Sequence, residues 1–208
     1  MQRNWMLKLR LRLHDQVRRL SADTGGMVAV EFVLTLPLML MIFFGTIQVS
    51  TAVAVDRKVS IAARTLSDLI SQAPTTGVSD TDFTNAFGLT TAILSPYANA
   101  PLQAVISEIY IAPTTLTATV IWSKASNATP RGVDSTVTTL VPAALQVGNT
   151  YLIMSEVTYN YQPIVGYDIK LGFASASFAL SDSMFTRPRQ YNCVLYPAVT
   201  TGAPCPTS

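Results

Sequence analysis

The sequence predicts an α+β protein: a long N-terminal helix that begins in a membrane, continues as an amphipathic helix, and packs on a small antiparallel sheet. Three observations predict it. The first is a run of 24 residues without a charge, Phe32–Val55. The second is helical spacing of apolar residues just beyond it, at Val59, Ala62, Ala63, Leu66, Leu69 and Ile70. The third is a series of β-branched and aromatic runs after residue 100, with turn-forming residues such as Pro113-Thr114 between them.

The uncharged run decides the N-terminal part. About 20 apolar residues carry a helix across a bilayer core, and no other stretch of the chain approaches that. A buried core helix is the alternative, but helices of this length in soluble domains carry a polar stripe. Before the run stand Arg3, Lys8, Arg10, Arg12, Arg18 and Arg19 against Asp15 and Asp23; from Asp56 onward there are eight basic and nine acidic residues. This asymmetry places the N-terminus in the cytoplasm and residues 56–208 outside. A secretory signal has a shorter apolar core, although a cut near Ser50–Ala54 is conceivable. Pro37 removes one helix hydrogen bond and should kink the helix, and Gly45 offers a small surface for helix contact or is ordinary membrane-helix composition.

Composition bounds the rest. The chain has 208 residues, of which 12% are charged, about half the usual share. One domain plus an appendage fits this length. Outside the leader there is no basic excess, so no nucleic-acid partner is expected. The one histidine, His14, lies in the leader, and there are two cysteines. No Ser-His-Asp or Cys-His set can form in the outer part, and no phosphate-binding glycine loop is present. No catalytic residue, metal site or cofactor is therefore expected. Cys193 and Cys205 both fall in the outer part, where an oxidising compartment favours a disulfide. Free thiols or a lipid attachment are the alternatives.

The amphipathic helix should run to about Gln72 and stop at the breaker cluster Ala73-Pro-Thr-Thr-Gly77. From Met27 such a helix would be roughly 70 Å long. Ser79-Asp-Thr-Asp82 offers caps for a second helix that ends before Pro96. Strands are expected over Ala104–Ala112, Thr115–Lys124, Tyr151–Gln162 and Phe173–Leu180, with a short helix at Val137–Leu145. In the first strand, Val105, Ser107, Ile109 and Ile111 should face one way and Ile106, Glu108 and Tyr110 the other. The expected divisions are a leader over 1–26, a spanning helix over 27–55, an amphipathic extension over 56–72, and a head over 73–208 with a Pro/Thr-rich tail.

Glu31 is the only acid between Met27 and Val55. Acids in spanning helices are functional candidates by default. A headgroup-level carboxylate reaching water is the bland alternative. A cut after Gly26 would make Met27 the first residue and Glu31 the fifth. In a stack of parallel copies Glu31 could then neutralise a neighbour's new amino terminus, setting register through a polar pair.

A basic leader, then Gly-x-x-x-x-Glu, then an apolar helix resembles the processing signal of type IV prepilins and pseudopilins. Gly26-Met-Val-Ala-Val-Glu-Phe-Val-Leu-Thr-Leu-Pro-Leu with Gly45, followed by Val55-Asp-Arg-Lys-Val59 and Ala62-Ala-Arg-Thr-Leu-Ser-Asp-Leu69, resembles TadE/TadG-like proteins of the tight-adherence (Tad) pilus system. Glu156-Val-Thr-Tyr-Asn-Tyr-Gln-Pro163 and Phe185-Thr-Arg-Pro-Arg189 are similar to that family as well. The resemblance implies a pilin-like fold and cleavage between Gly26 and Met27 by a prepilin peptidase. It also implies a reading of Glu31 during assembly with other pilins and the pilus assembly machinery. The family's major pilins are very short after the helix, so the large outer part implies a minor pilin or pseudopilin. The alternative is a permanently membrane-anchored periplasmic binding or adhesion module.

Overall fold

A computed structural model of the chain describes residues 25–97, 102–162, 177–199 and 203–207. The elements are α1 (Gly25–Ser71), α2 (Asp80–Ile93), β1 (Gln103–Ile111), β2 (Ala118–Ser126), β3 (Thr150–Tyr161) and β4 (Phe178–Thr186). The four strands form one antiparallel sheet in the order β2-β1-β3-β4. This is the α+β class that the residue pattern predicts. The chain divides into two compact units, one ending at Val49 and one beginning at Ser50. The basic leader, residues 1–24, lies outside the described residues.

Within the second unit, period-two alternation in the strands serves two cores. On one face Ala104, Ile106, Trp122, Ile153, Val157 and Tyr159 meet Val55, Val59, Ala62, Ala63, Leu66 and Ile70 of α1. On the other, Ile109, Ile111, Val120, Leu152 and Met154 gather beneath Val137 and Val141. Val120 and Trp122, two residues apart, would share a face in a regular strand. A shift in register, in which Glu108 pairs with Trp122 but Ile109 with Val120, sends them to opposite faces.

Small residues let α1 approach the sheet closely. Ala62, Ala63 and Ser67 are fully buried. Ser155 Oγ donates to the Ala63 carbonyl at 2.7 Å, and the Ser67 and Thr186 hydroxyls are 2.6 Å apart. Lys58 Nζ donates to the carbonyls of Ile93 and Ser95, satisfying the end of α2. The start of α2 is a capping box: Ser79 Oγ accepts from the Asp82 N–H, and Asp82 Oδ2 accepts from the Ser79 N–H.

Three elements depart from the sequence-based expectation. The second strand begins at Ala118 instead of Thr115. The β1–β2 turn takes up residues 112–117, closed by the Ala112 N–H on the Thr117 carbonyl at 3.0 Å, with Leu116 at φ 55°. Val137–Leu145 is not a helix beyond one 3-10 turn at Ala143–Leu145. Pro142 lacks an N–H and disfavours a helical Val141, while the Val137 N–H pairs with the Ala118 carbonyl at the edge of β2. The last strand spans Phe178–Thr186, because pairing from Tyr161↔Phe178 to Ile153↔Thr186 follows β3 to its far end. Phe173–Ala176 of the expected strand lie outside the described residues.

Candidate functional site

The described residues of the first unit are 25–49, the larger share of the apolar part of α1. Its side chains are exposed all around the helix, from Met27 at 77% and Leu34 at 70% to Phe44 at 39%. A helix that is apolar on every side has no face for water. Its mean hydropathy over the best window is 2.4, and it is long and apolar enough to cross a membrane. The hydroxyls within it are satisfied locally, as a lipid surrounding requires. Thr35 Oγ1 donates to the Glu31 carbonyl at 3.0 Å, and Thr46 Oγ1 to the Ile42 carbonyl at 2.6 Å. Pro37 sits inside the helix, so the Val33 carbonyl has no helical donor. Around Gly45 a Cβ would meet nothing within 4 Å, which leaves that side of the helix open to a neighbour.

Gly26 and Met27 stand in α1 at the start of the described residues. A Cβ at Gly26 would also meet nothing within 4 Å. One turn further on stands Glu31, exposed. The ion pairs among the described residues are Lys124–Asp80, Arg131–Glu156 and Arg189–Asp68, and Glu31 is in none of them.

Residues 26–67 match a family model described as TadE-like protein. This segment is TadE-like. The match covers about a fifth of the chain and holds Gly26, Met27, Glu31, Pro37 and Gly45. It ends within α1, at Ser67, so the head lies outside it apart from the helix that forms its core. No curated protein and no solved structure matches the chain.

The TadE-like helix carries the head on its second half, and the head is locked by its C-terminal strap. Cys193 and Cys205 are joined, with Cα atoms 5.8 Å apart. The Val78 N–H donates to the Leu195 carbonyl and the Val199 N–H to the Thr76 carbonyl. Trp122 Nε1–H donates to the Val194 carbonyl at 2.7 Å.

Beneath the strap is a group that sequence reasoning placed on a strand face but gave no role. Glu108 is fully buried. Its Oε1 accepts the Val194 N–H at 2.5 Å, and its Oε2 has no partner among the described residues. Burial pushes the carboxyl up to about 8, against the pull of the Val194 amide and the nearby Trp122 indole. The alternation Ile106, Glu108, Tyr110 was the signal available, since it puts an acid among core-facing positions. No group of three or more His, Cys, Asp or Glu placed to hold a metal ion occurs among the described residues.

Proposed function

We propose that this chain is a minor pilin or pseudopilin of a Tad-type pilus. It inserts in the inner membrane with its N-terminus in the cytoplasm and its head in the periplasm. Prepilin peptidase cuts it between Gly26 and Met27, and it docks with other pilins through α1. The observation that carries this reading is the TadE-like match over a helix whose apolar part, 27–55, holds a single carboxylate, Glu31, four residues beyond Met27. In lipid an unpaired carboxylate costs a few kcal/mol. A neighbouring subunit's new α-ammonium group offsets that cost only when both sit at the same depth. Such a pair therefore favours one axial register over its neighbours. The open surface at Gly45 allows close approach along the same helix.

The head fits a minor component. Beyond α1 the chain builds a four-stranded sheet with a second core, whereas the major pilins of the family it resembles are very short after the helix. The chemistry around it belongs to its partners, and its own part is to dock and to present the head.

Substituting Glu31 by alanine separates this reading from a permanent anchor. The expected result is that Glu31→Ala still inserts and folds but no longer co-purifies with sheared pili or with the assembly platform. If the variant is recovered with pili at the wild-type level, docking does not run through Glu31.

A further inference from the structure

Three surface clefts on the head each carry a basic side chain, and they differ in what holds it. In the cleft between α2 and the end of β2, Lys124 Nζ is 2.8 Å from the Asp80 carboxylate. On the opposite sheet face, Arg131 makes a two-pronged pair with Glu156, at 2.8 and 2.6 Å. The third cleft, about 490 Å³ in volume, lies between the start of β3 and the segment after β4, and it contains Arg187. Among the described residues no carboxylate lines it, and Arg187 makes no ion pair or hydrogen bond with any of them. Pro188 stands between two arginines with different fates. Arg189 turns to Asp68 at 2.5 Å, and Arg187 remains in the cleft.

The other walls are fixed. Tyr110 Oη–H donates to Asn149 Oδ1 at 3.3 Å, which leaves the Asn149 amide hydrogens as donors. Tyr151 Oη–H donates to the Pro206 carbonyl at 2.9 Å, and its ring lies 4.9 Å from that of Tyr110. Cys205, in the wall, is tethered to Cys193. Tyr191 is 38% exposed and Asn192 is exposed beside it. The cleft thus combines a guanidinium fork, two amides and the rings of Tyr151, Pro188 and Tyr191, with the Thr150 hydroxyl donating to the Val147 carbonyl.

We propose that this cleft binds an acidic saccharide. Arg187 takes the carboxylate in a bidentate pair, Asn149 and Asn192 take ring hydroxyls, and Tyr191 covers an apolar face of the sugar. Guanidinium matches the planar carboxylate with two parallel N–H···O bonds. Amides serve hydroxyls as both donor and acceptor. An aromatic ring contributes apolar contact area while keeping a polar end in water. A lipid chain or an apolar peptide would find little apolar surface here, because it is confined to the rings of Tyr151, Pro188 and Tyr191 and to Cys205. The site is independent of α1, so its failure would leave the proposed pilus role standing.

The test uses the full chain in lipid nanodiscs, with trigalacturonic acid as probe and its methyl ester as the uncharged control. Binding is read by calorimetry or by chemical-shift changes. The expected result is saturable binding of the acid, weakened about tenfold in Arg187→Gln, the loss of one charge-assisted contact. Tyr191→Ala should weaken it as well, and Arg187→Lys should fall between. Arg187 has no ion pair or hydrogen bond among the described residues, so thermal unfolding of these variants should match wild type; a misfolded glutamine variant would be replaced by the lysine one. Four outcomes overturn the proposal: no saturable binding by about 10 mM, beyond the millimolar range in which the weakest specific complexes fall, equal binding of the methyl ester, no effect of Arg187 substitution, or displacement by inorganic phosphate at equal concentration.

Discussion

The head of this protein should lose stability as pH rises from about 4.5 to about 8, and Glu108→Gln should remove most of that dependence. The carboxyl is held in the native state up to about 8, against 4.5 for a free side chain. Between those values the folded chain keeps a proton that the unfolded chain has released. Stability then falls with rising pH, because the unfolded state binds fewer protons. The contribution is fully present below 4.5, is lost progressively as pH passes through 8, and is flat above. Integrated over this window it amounts to a few kcal/mol at most. Other perturbed groups fall outside it. Asp80 is held low by Lys124 and then by Tyr196, and Asp82 by the Ser79 amide, so their contribution is lost only on acidification below the usual carboxylate range. Burial lifts Tyr151 to about 12, which matters only in strong alkali.

Thermal unfolding of the full chain at pH 5 and pH 9 reads the effect. Trp122 fluorescence in a Trp5→Phe background gives a local signal, since these are the only two tryptophans. The wild type should drop between the two pH values, while Glu108→Gln should stay nearly level. The glutamine keeps an acceptor for the Val194 N–H and adds no charge. Equal drops in both proteins would show that Glu108 titrates normally in the folded head.

The second large effect concerns the strap. Opening the Cys193–Cys205 bond should destabilise the head by about 3 kcal/mol, the chain-entropy value for a closed loop of this length. The loss should not stay local. Val194 and Leu195 lie next to Cys193, and they carry the partners of Glu108, Trp122 and Val78. A strap that opens more often also admits water to Glu108 and lowers its proton affinity. A Cys193→Ser, Cys205→Ser double variant should therefore unfold at lower denaturant and show a weaker pH dependence than wild type. Independent, additive effects of this change and Glu108→Gln would contradict the coupling, because neighbouring sites in one network are expected to be non-additive.

The parts of this architecture that local chemistry dictates were legible in the residues. The uncharged run from Phe32 to Val55, the helical spacing up to Ile70, and the Ser79/Asp82 cap each depend on residues close in sequence. So did the alternation in β1, where Ile109 and Ile111 face away from Ile106 and Glu108 as the period-two pattern requires. What was not legible depends on partners far along the chain. The register shift that splits Val120 from Trp122 is set by β1. The extent of β4 is set by β3, and the irregular Val137–Leu145 segment by Pro142 and the edge of β2. Glu108 could be placed on a core-facing position, but only the strap from residue 193 onward closes over it. Arg187 is a similar case. Its neighbour Arg189 has a partner 121 positions earlier in the chain, Asp68, and no local pattern tells which arginine has no ion pair among the described residues.

At the N-terminal end the residue types at Gly26, Met27 and Glu31 carry the meaning, and the match over residues 26–67 adds to it. The most direct measurement is the intact mass of the protein extracted from the membrane. A mature chain that begins at Met27 is the result this account predicts. A chain that retains residues 1–26, or one that begins near Ser50–Ala54, would contradict it.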